Sequence, residues 1–145
     1  MRIKRQMVLM AAYVAQGSEK PFEQVLEMLE ATDAYVAAHR EDMKLIGDTA
    51  IVLETKKVGQ KMVCKAVENG YAIGNELHKL EELARRGVKY MTLCHNGDNL
   101  ICDSAMKSSH THGGLSNFGV EVVREMNRLG IAVDVSHASD STVAQ

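Results

Sequence analysis

The chain has 145 residues, 46% of them hydrophobic and 25% charged, with a formal net charge of −2. These values describe one folded domain of ordinary size and exclude a disordered tail or a collagen-like repeat. The near-neutral balance excludes a basic field for nucleic acid. The longest apolar run, Met7 to Ala15, falls short of the roughly 20 residues that span a bilayer, so no membrane segment is expected.

Met1 to Arg5 is basic and precedes that run. A signal peptide is nevertheless not expected, because Tyr13 and Gln16 interrupt the pattern and no Ala-x-Ala site closes it. In chain order, Val8 to Val14 reads as a first strand, apolar throughout. Gly17-Ser18 breaks it, and Pro21 opens a helix whose apolar positions Phe22, Val25, Leu26, Leu29 and Val36 carry it to about His39. His39 to Asp42 is a solvated charge cluster. A second helix is expected between Asp48, a good N-cap, and Gly59.

One pattern then occurs three times: basic residues and a Gly end a helix, and a short apolar strand follows. The strands are Lys61 to Val67, Val88 to Leu93 and Ile131 to Val135, each preceded by Gly59, Gly87 or Gly130. The intervening helices are expected from cap Asn75, with Leu77, Leu80 and Leu83 on one stripe, and from cap Ser116, with Phe118, Val122, Met126 and Leu129. Four strands alternating with helices imply a parallel α/β sheet. The one long connection, Asn96 to Ser116, is of a length usually reserved for function or disorder.

Functional residues of parallel α/β folds collect at the C-terminal ends of the strands. There the three repeated units carry Glu68, His95 and His137, placed nine, eight and seven residues after their glycines. Equivalent positions in successive units share one rim. Two imidazoles and a carboxylate are the donor set of a zinc-type site. The bland reading of each residue alone is a loop or supporting side chain. His110 and His112 form an H-x-H that reads as solvated in a Gly/Ser-rich loop, and His39 and His78 read as helix-surface residues. Asp98, Asp103 and Asp134 are further carboxylates near the rim. Cys94 and His95 are neighbours along a strand, so they point to opposite faces and form no nucleophile–base pair. No dinucleotide, P-loop, nucleophile-elbow or HExxH motif is present. The three cysteines, Cys64, Cys94 and Cys102, lack CxxC spacing and point to a reducing, cytoplasmic compartment.

Four segments carry a resemblance. They are Ala66 to Ile73 (AVENGYAI), Gly87 to Asn96 (GVKYMTLCHN), Gly114 to Gly119 (GLSNFG) and Val122 to His137 (VVREMNRLGIAVDVSH). With Met10 to Val14, they make the chain similar to the renal (membrane) dipeptidase family of zinc peptidases. The resemblance implies a (β/α)8 TIM barrel, of which about four βα units, the second to the fifth strands, would be present in residues 1–145. It also implies two zinc ions in the intact enzyme and hydrolysis of dipeptides, including those with a C-terminal D-residue. Glu68 would match the carboxylate bridging the metals, His137 a ligand of the second metal, and His95 a histidine contacting substrate and oxyanion.

The departures set further expectations. The family's H-x-D motif and its remaining ligands are missing, so the metal site would be incomplete and the chain inactive alone, as a domain truncated at both ends. Asn69 stands where the family usually has Gly, and Cys94 where Thr is common. A competing expectation is a non-catalytic half-barrel that self-associates as a homo-oligomer through open strand edges. A flavodoxin-like phosphate-binding domain is a weaker third, opposed by the missing glycine-rich loop.

Overall fold

The computed structural model describes residues 7–47, 54, 59–108 and 110–145. Strand β1 (Met7–Tyr13) leads into helix α1 (Pro21–Ala38), followed by β2 (Met43–Leu45) and β3 (Lys61–Glu68). A 3-10 turn (Gly70–Ile73) precedes α2 (Lys79–Arg85) and β4 (Val88–Thr92). Helix α3 (Asn117–Leu129), β5 (Ala132–Asp134) and α4 (Asp140–Val143) complete the order. All strand pairings are parallel, in the order β1-β3-β4-β5.

Two local expectations need correction. Met43–Leu45 is a fifth strand that pairs with Lys61–Val63. Three residues beside a charge cluster are too short to show a period-2 pattern. Because β1 occupies one edge of β3 along its length, β2 and β4 share the other. Helix α2 starts at Lys79 rather than just after Asn75. Gly74 turns the chain at φ 58, and tight bonds from Glu76 N–H to Ile73 O and from Lys79 N–H to Glu76 O occupy the intervening residues. The helix expected between Asp48 and Gly59 lies outside the described residues.

Strand β1 alternates in burial as its period dictates, whereas the central strand β3 is buried on both faces from Val63 to Val67. Val63 and Val67 of β3 are fully buried, as are Val25 and Leu29 of α1. The buried positions of α1 (Phe22, Val25, Leu29, Thr32, Val36) recur every three or four residues, which is one helical stripe. Lys65 lies on the same face of β3 and is 7% exposed. Its ammonium reaches Asp33 of α1 at 2.6 Å, so the buried charge is paired. Helix α3 is capped by the Ser116 hydroxyl, which accepts from Gly119 N–H, and it ends at left-handed Gly130. The opposite sheet face carries Met7, Leu9 and Tyr13 of β1, exposed by 60%, 55% and 42%. Among the described residues no helix is long and apolar enough to cross a membrane.

Candidate metal centre

Strand register brings the rim together. Tyr13 lies opposite Glu68 across β1 and β3, and Thr92 opposite Asp134 across β4 and β5. His95 and His137 each follow three residues after these latter strand ends. The chain pairing therefore converts three sequence-distant strand ends into one cluster. One ligand atom each from Glu68, His95 and His137 lies within 4.8 Å of the others. Glu68 Oε1 is 3.6 Å from His95 Nε2 and 3.8 Å from His137 Nε2, and the three side chains are 35%, 21% and 33% exposed. Neither separation is a hydrogen bond.

The imidazoles are fixed by packing and backbone geometry. The His95 ring lies between Tyr13, at a centroid separation of 4.9 Å, and His137, at 4.3 Å. His137 itself adopts φ 67, a left-handed conformation that is uncommon outside glycine. Ser104, fully buried, bridges the two histidine backbones. Its hydroxyl lies 2.6 Å from His95 O and 3.2 Å from His137 O, and the following Ala105 N–H donates to His137 O at 2.8 Å. Donors bound about 2.1 Å from one tetrahedral ion stand about 3.4 Å apart. The observed separations and the carboxylate–imidazole chemistry therefore fit a divalent metal ion.

The long connection is ordered around two carboxylates. Asp103, fully buried, accepts from the backbone N–H groups of Thr111, His112 and Gly114 at 2.9–3.1 Å. Asp98 accepts from Ser104 N–H and from both the N–H and hydroxyl of Thr111. Burial pushes the Asp103 carboxyl up, but the surrounding N–H groups outweigh it and hold the group below the ordinary carboxylate range. The same balance, from Ser104 and Thr111, lowers Asp98. His110 and His112 are both exposed, as their loop context suggested. His112 Nε2 nevertheless pairs with Asn99 O at 2.8 Å. Asp134 Oδ1 accepts from Ser136 N–H and shapes the turn before His137.

Cys94 is fully buried. Its thiol faces the carbonyls of His137 and Asp103 and neighbours the Cys102 thiol. That neighbour, reinforced by burial, pushes the Cys102 thiol up and keeps it neutral. The pair packs beneath the rim. Tyr13 was absent from the sequence-derived set, although it ends the first strand as Glu68 ends the third. The strand-end rule, applied to β1 as well, would have found it.

A family model described as membrane dipeptidase, peptidase family M19, matches residues 2–145. A dipeptidase, verJ, of Clonostachys rogersoniana is 31% identical over 130 residues, covering 90% of this chain and 34% of its own. A crystal structure of an amidohydrolase from Pseudomonas aeruginosa matches with a TM-score of 0.83 at 26% identity, over 93% of this chain and 39% of that one. A metallopeptidase from Rhodobacter sphaeroides, liganded with a phosphinate mimic of the dipeptide L-Ala-D-Ala, matches in fold with a TM-score of 0.82 at 20% identity. It is covered over 47% of its length and covers 94% of this chain. The chain spans about a third of the length of the curated relatives it matches.

Proposed function

This chain belongs to the membrane dipeptidase family, and on that premise we propose that it forms one arc of the catalytic rim of a zinc-dependent dipeptidase. The observation that carries the reading is the convergence of Glu68, His95 and His137 at strand ends that are far apart in sequence. Glu68 and His137 would hold metal. Bound zinc supplies Lewis acidity, which polarises the scissile carbonyl and acidifies a water molecule.

The protein's own groups supply the rest. His95 donates from Nε2 toward the oxygen that gains charge as the peptide carbonyl becomes tetrahedral, a contribution of about 3 kcal/mol for one well-placed donor. Tyr13 and His137 restrict the His95 ring from both sides, so less reorganisation is needed as that charge develops. Ser104 fixes the spacing of the two histidine backbones. The remaining metal donors and the groups holding the ends of the dipeptide belong, in this reading, to other strands of the whole barrel. The 145-residue chain alone would then hydrolyse dipeptides poorly or not at all. The dipeptide mimic bound by the Rhodobacter sphaeroides neighbour supports the substrate class.

The test is zinc content of the whole enzyme after dialysis, by elemental analysis. Bound zinc that falls in His137→Ala and in Glu68→Gln supports the reading; zinc content unchanged in both variants overturns it for these residues. Exposed Met7 and Leu9, on a face that parallel sheets normally cover, favour a second reading in which the isolated chain self-associates. Sedimentation of wild type against Leu9→Lys tests it, and a monodisperse wild-type monomer removes it.

A further inference from the structure

We infer that Asn69 is a positioning residue that fixes the Glu68 carboxylate against the neighbouring strand ends. This role rests on the reading of Glu68 as a metal ligand. Asn69 is 2% exposed and is held at φ 87. A side chain in that conformation is strained unless its surroundings hold it there. The surroundings here use every polar group of the residue.

Its backbone N–H donates to Thr92 Oγ1 at 2.7 Å, and its Nδ2 donates to Val14 O at 3.0 Å. Its Oδ1 accepts from Tyr71 N–H at 3.2 Å and lies 3.5 Å from Asn99 Nδ2. Asn99 in turn donates to Leu93 O at 2.9 Å. The contacts therefore reach the chain immediately after Tyr13, three residues after Glu68, and three residues before His95. Asn69 sits where the ends of β1, β3 and β4 meet, one peptide from the carboxylate.

A glycine at this position would accept the backbone angle but lose the side-chain bonds to Val14 and Tyr71. Its peptide would then swing more freely, and Glu68 with it. Partners that orient metal ligands typically contribute 10–100-fold to metal affinity. The fold needs the turn, whereas the site needs the clamp.

In the whole enzyme, the test compares wild type with Asn69→Gly and with Thr92→Val, an isosteric change that removes the acceptor for the Asn69 N–H. Co²⁺ serves as a probe whose visible spectrum reports coordination geometry, and thermal unfolding without metal reports the fold. The expected result is a folded Asn69→Gly variant with Co²⁺ affinity lowered about tenfold or more and an altered spectrum. Thr92→Val should show a smaller loss of the same kind. If Asn69→Gly does not fold, Thr92→Val decides by the same two readouts. Wild-type affinity and spectrum in a folded variant, even with a lowered Tm, would reduce Asn69 to a structural residue and overturn the inference. Failure of wild type itself to bind Co²⁺ would instead strike the metal reading beneath it, which the variants alone cannot do.

Discussion

Two regions of this chain carry the same kinds of side chain and use them in opposite ways. In the long connection, Asp98, Asp103 and His112 are hydrogen-bonded to the backbone around them. At the rim, Glu68, His95 and His137 converge to 3.6–3.8 Å without hydrogen-bonding to one another. The first arrangement resembles what a buried polar group requires in any fold. The second leaves ligand atoms directed at shared space and held from behind by Ser104, Tyr13 and Asn69. Carboxylates and histidines near a rim are therefore not interchangeable evidence. Their hydrogen-bond state separates the scaffold from the site.

The sharpest way to break this contrast is to mutate across it. In the whole enzyme, Glu68→Gln should lower kcat for a dipeptide by about a thousandfold, because several kcal/mol of metal-derived stabilisation is lost. Its metal-free Tm should barely move, since Glu68 is partly exposed and its side chain makes no hydrogen bond among the described residues. Steady-state kinetics and calorimetry on one preparation measure both effects. Asp103→Ala should behave in the reverse sense. It removes the buried carboxylate that ties together the N–H groups of Thr111, His112 and Gly114, at an expected cost of about 3 kcal/mol in urea unfolding. A Glu68 variant that unfolds like Asp103→Ala would erase the distinction.

The pH dependence of stability sharpens it. Asp103 and Asp98 both titrate below the ordinary value in the folded state, because burial is outweighed by the loop N–H groups and the Thr111 hydroxyl. A depressed carboxyl contributes stability that is fully present above its unfolded value, about 3.9. That contribution is lost as pH falls through the lower folded value. Tm should therefore decline below about pH 4 in wild type and decline less steeply in Asp103→Asn. Equal slopes would show that the loop does not depend on the charge of this carboxylate.

How much of this was legible follows from period and position. The helix glycines and strand runs repeat three times, so Gly87 and Gly130 marked strands that the structure contains, and the strand-end rule led from them to His95 and His137. Met43–Leu45 was hidden because three residues carry no periodicity. The delayed start of α2 was hidden because a tight turn after Gly74 leaves no sequence period. Asp103 and Asn69 were named in the sequence without their roles. Those roles depend on N–H groups brought in from Thr111, Gly114 and the neighbouring strand ends, and no local pattern encodes such partners.

The smallest expected effect lies within one motif and tests the contrast at its finest grain. His110 and His112 are two residues apart and identical in type, and neither joins the rim cluster. His110 is exposed, so His110→Ala should leave unfolding within about 0.5 kcal/mol of wild type, as surface substitutions do. His112 Nε2 pairs with Asn99 O at 2.8 Å. His112→Ala should therefore cost about 1 kcal/mol, the usual net worth of a single hydrogen bond. Neither substitution should change zinc content. A loss of zinc in His112→Ala would place part of the loop in the metal site and redraw the boundary between the two regions, because a histidine bonded to the loop backbone would then be contributing to the chemistry it is argued only to support.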